Sequence, residues 1–373
     1  MSAVGERFAP PFRAEHIGSL IRPKALLDLR YAATRPDPEA LRALEDEHIA
    51  AVIRWQEEIG LRSITDGEFR RESWRLGLVS KVAGFVRAAA IGDVDLQRDD
   101  AGNVARVGAA PYATARIRRS GPIVADEVAF AQRHARGTVK ATLPAPSYLH
   151  YPRGNACAEP SVYPDIAEFF ADVVEVYAAE LAALHAAGGR YLQIDEVAQP
   201  VLCDANVRDA VRARGDDPDE LIDLYIDLIN RIARRRPPGM TLGVHMCRGN
   251  AMGKWIASGS YEAIAERTFN SLAVDAFFLE YDSARAGDFS PLRWLPAQKH
   301  VVLGLVSSKN AELESPDALR RRIDEAARHV PMERLALSPH CGFASVAGGN
   351  LLSEEDQAAK LRLVVDVARA TWG

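Results

Sequence analysis

Short apolar runs recur along this chain, and almost every one ends in polar or chemically reactive side chains. The clearest are LRSITDGE (61–68), TVKATLPAP (138–146), RYLQIDE (190–196), TLGVHMC (241–247), AFFLEYD (276–282), HVVLGLVSSK (300–309) and RLALSPHCG (334–342), with a shorter one, EHIGSL, at 15–20. Helical patterns fill the intervals, such as PEALRALEDEHIAAVIRWQEEIG and SPDALRRRIDEAARHV. The second opens with Ser315 as N-cap and Pro316 at the first helical position. SEEDQAAKLRLVVDVARATW closes the chain as a helix with acids in its first turn. This alternation is the rhythm of repeated βα units. It predicts a (β/α)8 TIM barrel forming a single domain over 1–373, with an open doubly wound sheet as the alternative. The run ends favour the barrel: Asp66 and Glu68, Asp195 and Glu196, His245 and Cys247, Glu280 and Asp282, Ser307 to Lys309, His340 and Cys341 would then meet at one mouth, where barrels do chemistry. Residues 82–136 fit no βα unit and read as an insertion of helices and a hairpin, with QRDDAGNVARV as its turn.

The balance of 46 basic and 51 acidic residues gives net charge -5, which argues against a general nucleic-acid binder. No apolar stretch is long enough to span a bilayer, and the opening MSAVGERFAPPFRAEH lacks the apolar segment of a secretory signal. Cys157, Cys203, Cys247 and Cys341 are widely scattered, which suits reduced thiols in a cytoplasmic enzyme.

His245 and Cys247 are two apart on a strand, so their side chains share a face. Glu280 ends the next strand and Cys341 ends the last. A histidine, two cysteines and a carboxylate at one mouth suit tetrahedral zinc. The plainer alternative is that both cysteines are small core residues. The chemistry of such a centre is specific. Alkyl transfer to sulfur requires a thiolate, whereas a free thiol with a pKa near 8.5 is mostly protonated at neutral pH. Zinc deprotonates a coordinated thiol. Two cysteinates and a carboxylate bring the centre to about -1 by ligand count, which leaves electron density on the bound sulfur.

HIGSLIRP, TDGEFRRESW, LQIDE, HMCRGN, FFLEYDSARAGDF and LSPHCGFAS, running in order from about residue 15 to the C-terminus, resemble the cobalamin-independent methionine synthase family. The likeness is to its catalytic C-terminal half, above all to the short single-barrel bacterial members. The resemblance implies a (β/α)8 fold, zinc on His245, Cys247, Glu280 and Cys341, and methyl transfer to homocysteine to give methionine. It also implies that Glu68 and Asp195 hold the homocysteine ammonium and that the segment of Ile17 and Ser19 receives its carboxylate. Lys309 stands where the long enzymes keep the histidine that protonates the leaving folate, which makes Lys309 and Asp195 the candidate catalytic residues. Departures fall on the donor side. The long enzymes carry DEP where this chain has DEVAQP, PAPSYLHYP offers Tyr148 where they have a tryptophan for the folate ring, and their N-terminal half has no counterpart here. The expected methyl donor is therefore not a polyglutamyl folate. Arg22, Arg70, Arg71, Arg248 and Lys309 are candidates for holding an anionic substrate.

The main alternative keeps the zinc–thiolate but opens an epoxide, as in the related epoxyalkane–coenzyme M transferases; Glu68 and Asp195 favour an amino-acid thiol over a sulfonate. A barrel zinc hydrolase is disfavoured because such enzymes place HxH after the first strand, where this chain has only His16. An idle barrel serving as a binding protein is disfavoured by the complete ligand set. The expected partners are a small-molecule thiol and a methyl donor, with neither nucleic acid nor membrane; a homodimer is compatible with all of this.

Overall fold

The apolar runs form one parallel sheet whose strands follow each other in chain order: β1 (Ser63–Ile64), β2 (Thr138–Pro144), β3 (Tyr191–Glu196), β4 (Thr241–Met246), β5 (Ala276–Glu280), β6 (His300–Val306) and β7 (Leu335–Pro339). The computed structural model describes residues 9–106 and 110–373. β3, β5 and β7 are buried along their whole length, as expected of strands covered on both faces. Helices wrap the outside, including Pro38–Glu58, Ile166–Ala186, Pro218–Ala233 and Glu354–Trp372. Asp37, Asp165 and Asp217 cap three of them through the backbone N–H two residues on, and Ser353 and Asp356 form a capping box on the fourth. Ser315 stands at the N-cap of Pro316–Ala326 as expected, but its hydroxyl makes no capping bond. No helix among the described residues is long and apolar enough to cross a membrane.

Two runs differ from the sequence reading. The run at 61–68 shrinks to Ser63–Ile64, because the Gln56 side chain takes both the N–H and the C=O of Thr65, at 3.0 and 2.8 Å. EHIGSL is not a strand. Ala14, just before it, makes a parallel bridge to Leu337, and the carbonyls of His16, Ile17 and Gly18 bond to side chains rather than to a ladder. Thr65 Oγ1 donates to the Gly18 carbonyl at 2.8 Å, Gln193 Nε2 to that of Ile17 at 2.8 Å, and Lys140 Nζ to that of His16. The segment still joins both sheet edges, with Glu15 N–H on Leu337 C=O at 2.9 Å and Leu20 N–H on Gly67 C=O at 3.0 Å. It therefore fills the eighth position and closes the curled sheet. Lys140 fixes it further through a fully buried ion pair with Glu15, at 3.2 Å.

Inside the barrel, Ile17, Tyr191, Ala276, Phe278, Val302 and Ala336 form a small apolar cluster distinct from the main core. Side chains two apart on a strand share a face. The inward positions above this plug are therefore polar: Gln193 and then Asp195 on β3, and Glu280 on β5. On β4, a Cβ on Gly243 would lie 2.8 Å from the Phe278 ring, so His245, two residues on, also points inward.

The insertion consists of an antiparallel pair, Val82–Ala88 with Ala110–Arg119, a smaller hairpin, Leu96–Arg98 with Val104–Arg106, and a helix, Ala125–His134. The expected turn is present: Asp99 Oδ1 accepts from the N–H groups of Ala101 and Asn103 at 3.1 and 2.9 Å. Arg98 exchanges backbone bonds with Trp255, and Asp99 pairs with Lys254 at 3.0 Å. These contacts lay the hairpin against the loop that follows β4.

Candidate metal and substrate site

His245, Cys247 and Cys341 bring one imidazole nitrogen and two sulfurs within 4.8 Å of one another. All three residues are buried, the sulfurs are 3.9 Å apart, and neither ring nitrogen of His245 has a hydrogen-bond partner. A buried imidazole with both nitrogens unsatisfied is costly, and a divalent ion seated on the two sulfurs would satisfy it. One nitrogen and two thiolates are donors of the kind zinc prefers.

These residues line a cleft of about 850 Å³ open to solvent, together with Ile17, Ser19, Glu68 and Asp195. Glu68 is held there by a backbone at φ 60°, a region that costs a non-glycine residue of order 1–3 kcal/mol and clusters at functional sites. Its Oε1 accepts from Thr142 Oγ1 at 2.8 Å, while its Oε2 is buried without a partner. Asp195 Oδ1 accepts from Gln193 Nε2 at 2.7 Å. Burial pushes the Asp195 carboxyl up to about 6, against the opposing pull of His245. Arg71 Nη1 lies 3.6 Å from Glu68 Oε1, on the oxygen that Thr142 already occupies, and leaves Oε2 unpaired. The N–H groups of Ile17 and Ser19 donate to no described residue, which leaves them free to receive an anion.

Glu280 lies outside the group of three. Its Oε2 accepts the Arg248 N–H at 2.6 Å, and its carboxylate clusters with Asp282 and His340. Lys309 Nζ sits in that cluster, 2.6 Å from His340 Nε2 and 3.7 Å from Glu280 Oε1. Lys309 is not among the residues lining the cleft. The structure therefore brings His245, Cys247, Cys341, Glu68, Asp195, Ile17 and Ser19 to one cavity, with Glu280 and Lys309 paired beside it.

Residues 24–370 match the family model of the cobalamin-independent synthase catalytic domain. The chain belongs to that family. It is 38% identical to the uncharacterized protein YxjH of Bacillus subtilis (strain 168), over 97% of this chain and 95% of the relative. It is 27% identical to a methionine synthase of Pyrococcus furiosus, over 88% and 85% of the two chains. A crystal structure of a Listeria monocytogenes protein assigned as a vitamin-B12-independent methionine synthase superposes with a TM-score of 0.76 at 30% identity, covering 98% of this chain and all of that one. A B12-independent methionine synthase from Shewanella sp. W3-18-1, solved with selenomethionine, shares the fold with a TM-score of 0.75 at 18% identity, over 96% of this chain and 97% of that one.

Against this family background the donor side needs correction. No tryptophan stands in PAPSYLHYP, yet Trp74, from TDGEFRRESW, packs on Tyr148 with ring centroids 5.2 Å apart, and both line the cleft with Arg75, Tyr151 and, from the insertion, Asp95 and Gln97. The basic residues expected to hold an anion are engaged elsewhere. Arg22 donates to the carbonyls of Ala344, Glu68 and Arg71, Arg70 pairs with Asp46, Arg71 with Glu127 and, at 3.6 Å, with Glu68, and Arg248 with the Gly259 carbonyl. Arg75 is the arginine that lines the cleft, and its place in TDGEFRRESW was the available signal.

Gly18 illustrates how tightly this wall is built. It adopts φ 152°, and a Cβ there would lie 2.7 Å from Thr142 Cγ2 and 3.1 Å from Glu68 Oε1. Gly18→Ala is expected to cost about 1–3 kcal/mol through strain and overpacking, read as a lower urea midpoint at unchanged slope. An unchanged midpoint would show that the wall yields.

Proposed function

We propose that the protein transfers a methyl group to the sulfur of homocysteine, giving methionine, and that His245, Cys247 and Cys341 hold zinc with Glu280 at hand as a fourth, oxygen ligand. The observation that carries this reading is the buried group of one imidazole and two cysteine sulfurs opening on the same cleft as the carboxylates of Glu68 and Asp195. Bound zinc would keep an incoming thiol as its nucleophilic thiolate at neutral pH. The chain's own residues set the substrate. Glu68 and Asp195 take the ammonium, the N–H groups of Ile17 and Ser19 take the carboxylate, and together they aim the side-chain sulfur at the triad. A sulfonate thiol would bring no ammonium to Glu68 and Asp195, which favours this reading over epoxide opening on a coenzyme M thiol.

The donor is other than a polyglutamyl folate. A folate amine needs a proton to leave, help worth about 10²–10⁴ in rate, and Lys309, the residue in position to supply it by resemblance, is turned away from the cleft into the Glu280–His340 pair.

The test compares homocysteine with its desamino analogue 4-mercaptobutanoate. Asp195→Asn should weaken homocysteine binding by about 1.5–3 kcal/mol, the range for a hydrogen bond to a charged group, and leave the analogue nearly unaffected in calorimetric titrations. Equal losses for both thiols would refute the assignment of Asp195 to the ammonium.

A further inference from the structure

The part of the cleft walled by Trp74, Arg75, Asp95 and Tyr148 has a chemistry of its own. Asp95 accepts no hydrogen bond from a described residue, and its nearest cation is Arg75 Nη1 at 3.9 Å, beyond hydrogen-bond reach. Its side chain is only 12% exposed, and burial pushes its carboxyl up to about 6 despite Arg75. Arg75 spends one donor on Tyr148 Oη, at 3.1 Å, and keeps its other N–H groups without a described partner. The Trp74–Tyr148 pair adds aromatic surface, which attracts a desolvated cation through the ring quadrupole. The wall thus offers one unsatisfied negative charge, one under-used positive charge and an aromatic pair, with no net charge of its own. A ligand that matches all three carries both signs.

We propose that this wall binds the methyl donor as a small sulfonium carboxylate, with the sulfonium against Asp95, Trp74 and Tyr148 and the carboxylate on Arg75. Such a zwitterion replaces one long ion pair by two short ones and brings no net charge into the cleft. The class also fits the reaction, and to that extent the inference rests on the methyl-transfer reading. The acceptor thiolate attacks the methyl carbon, a new S–C bond forms, and the old C–S bond breaks with its electron pair going to the departing sulfur. Thiolate and sulfonium, −1 and +1, become two neutral thioethers. No proton moves, so no general acid is required. A quaternary ammonium would expel an amine, a far poorer leaving group.

Calorimetric titration of the full-length, metal-free protein with dimethylsulfoniopropionate and with its uncharged carbon isostere, 4-methylpentanoate, tests the site without turnover. The sulfonium should bind about tenfold tighter or better, the scale of a desolvated cation–π contact plus a carboxylate. Asp95→Asn should bring the ratio close to one, and Arg75→Gln should weaken both ligands together. The comparison on unmodified protein stands even if a variant misfolds. Equal affinities for the two ligands, or a ratio untouched by Asp95→Asn, would overturn the proposal. Homocysteine is titrated in parallel into the zinc-loaded protein: sulfonium binding without homocysteine binding there would refute the acceptor reading and leave this one intact. Homocysteine binding with no sulfonium preference would do the reverse.

Discussion

The purified protein is expected to carry about one zinc ion per chain, and replacing Cys247 or Cys341 by serine should strip nearly all of it. The expectation follows from the donor set. Two sulfurs 3.9 Å apart and one imidazole are the buried donors that face each other, and thiolates bind zinc more strongly than the hydroxyl that would replace one of them. Disturbing groups around metal ligands costs roughly 10–100-fold in affinity; deleting a ligand that supplies half of the site's thiolate charge should cost more. Cys157 and Cys203 provide the control. Neither belongs to the group of His245, Cys247 and Cys341, and Cys157→Ala or Cys203→Ala should keep the metal. Elemental analysis after exhaustive dialysis reads all four variants. Full zinc in both Cys247→Ser and Cys341→Ser would sink the metal centre.

What the sequence made legible follows from periodicity. His245 and Cys247 could be assigned to one face because a strand has period two, and Cys341 could be placed at the mouth because it follows an apolar run that becomes β7. The same rule put Asp195 on the inward face of β3. What it could not supply were arrangements set by residues far away in the chain. Glu280 ends β5 as expected, but its orientation is fixed by the Arg248 N–H and by Lys309, neither of which has a periodic signature. Asp95 and Gln97 reach the cleft because their hairpin docks on Trp255, a contact no local pattern announces. EHIGSL carries the apolar content of a strand, yet side chains of Thr65, Lys140 and Gln193 intercept its carbonyls, so the eighth position is filled without a ladder. The arginines near the mouth looked available because charge is visible in sequence and pairing is not.

Lys309→Ala should destabilise the metal-free protein by about 3–5 kcal/mol, the cost of leaving a buried charge without its partner. Two carboxylates are packed here. Burial, the largest single effect, and the neighbouring Asp282 raise the Glu280 carboxyl, but Lys309, His340 and Arg248 together hold it below its ordinary value. Asp282, also buried, is brought down to about 2 by His340 and Lys309. Its second contact, to His340 Nδ1 at 3.4 Å, ties it to the same lysine through the imidazole. Removing the ammonium leaves the unpaired Oε1 of Glu280 facing Asp282, with the Arg248 N–H on Glu280 and the imidazole, the Ser307 hydroxyl and Arg285 on Asp282 as the remaining compensation. Bound zinc would supply a positive charge that Glu280 could use as an oxygen ligand, so the loss should shrink when the metal is added. Urea unfolding with and without zinc measures both. A metal-free Lys309→Ala protein as stable as the parent would show that Lys309 does not neutralise this pair. A loss of the same size with and without zinc would show that Glu280 takes no part in binding the metal.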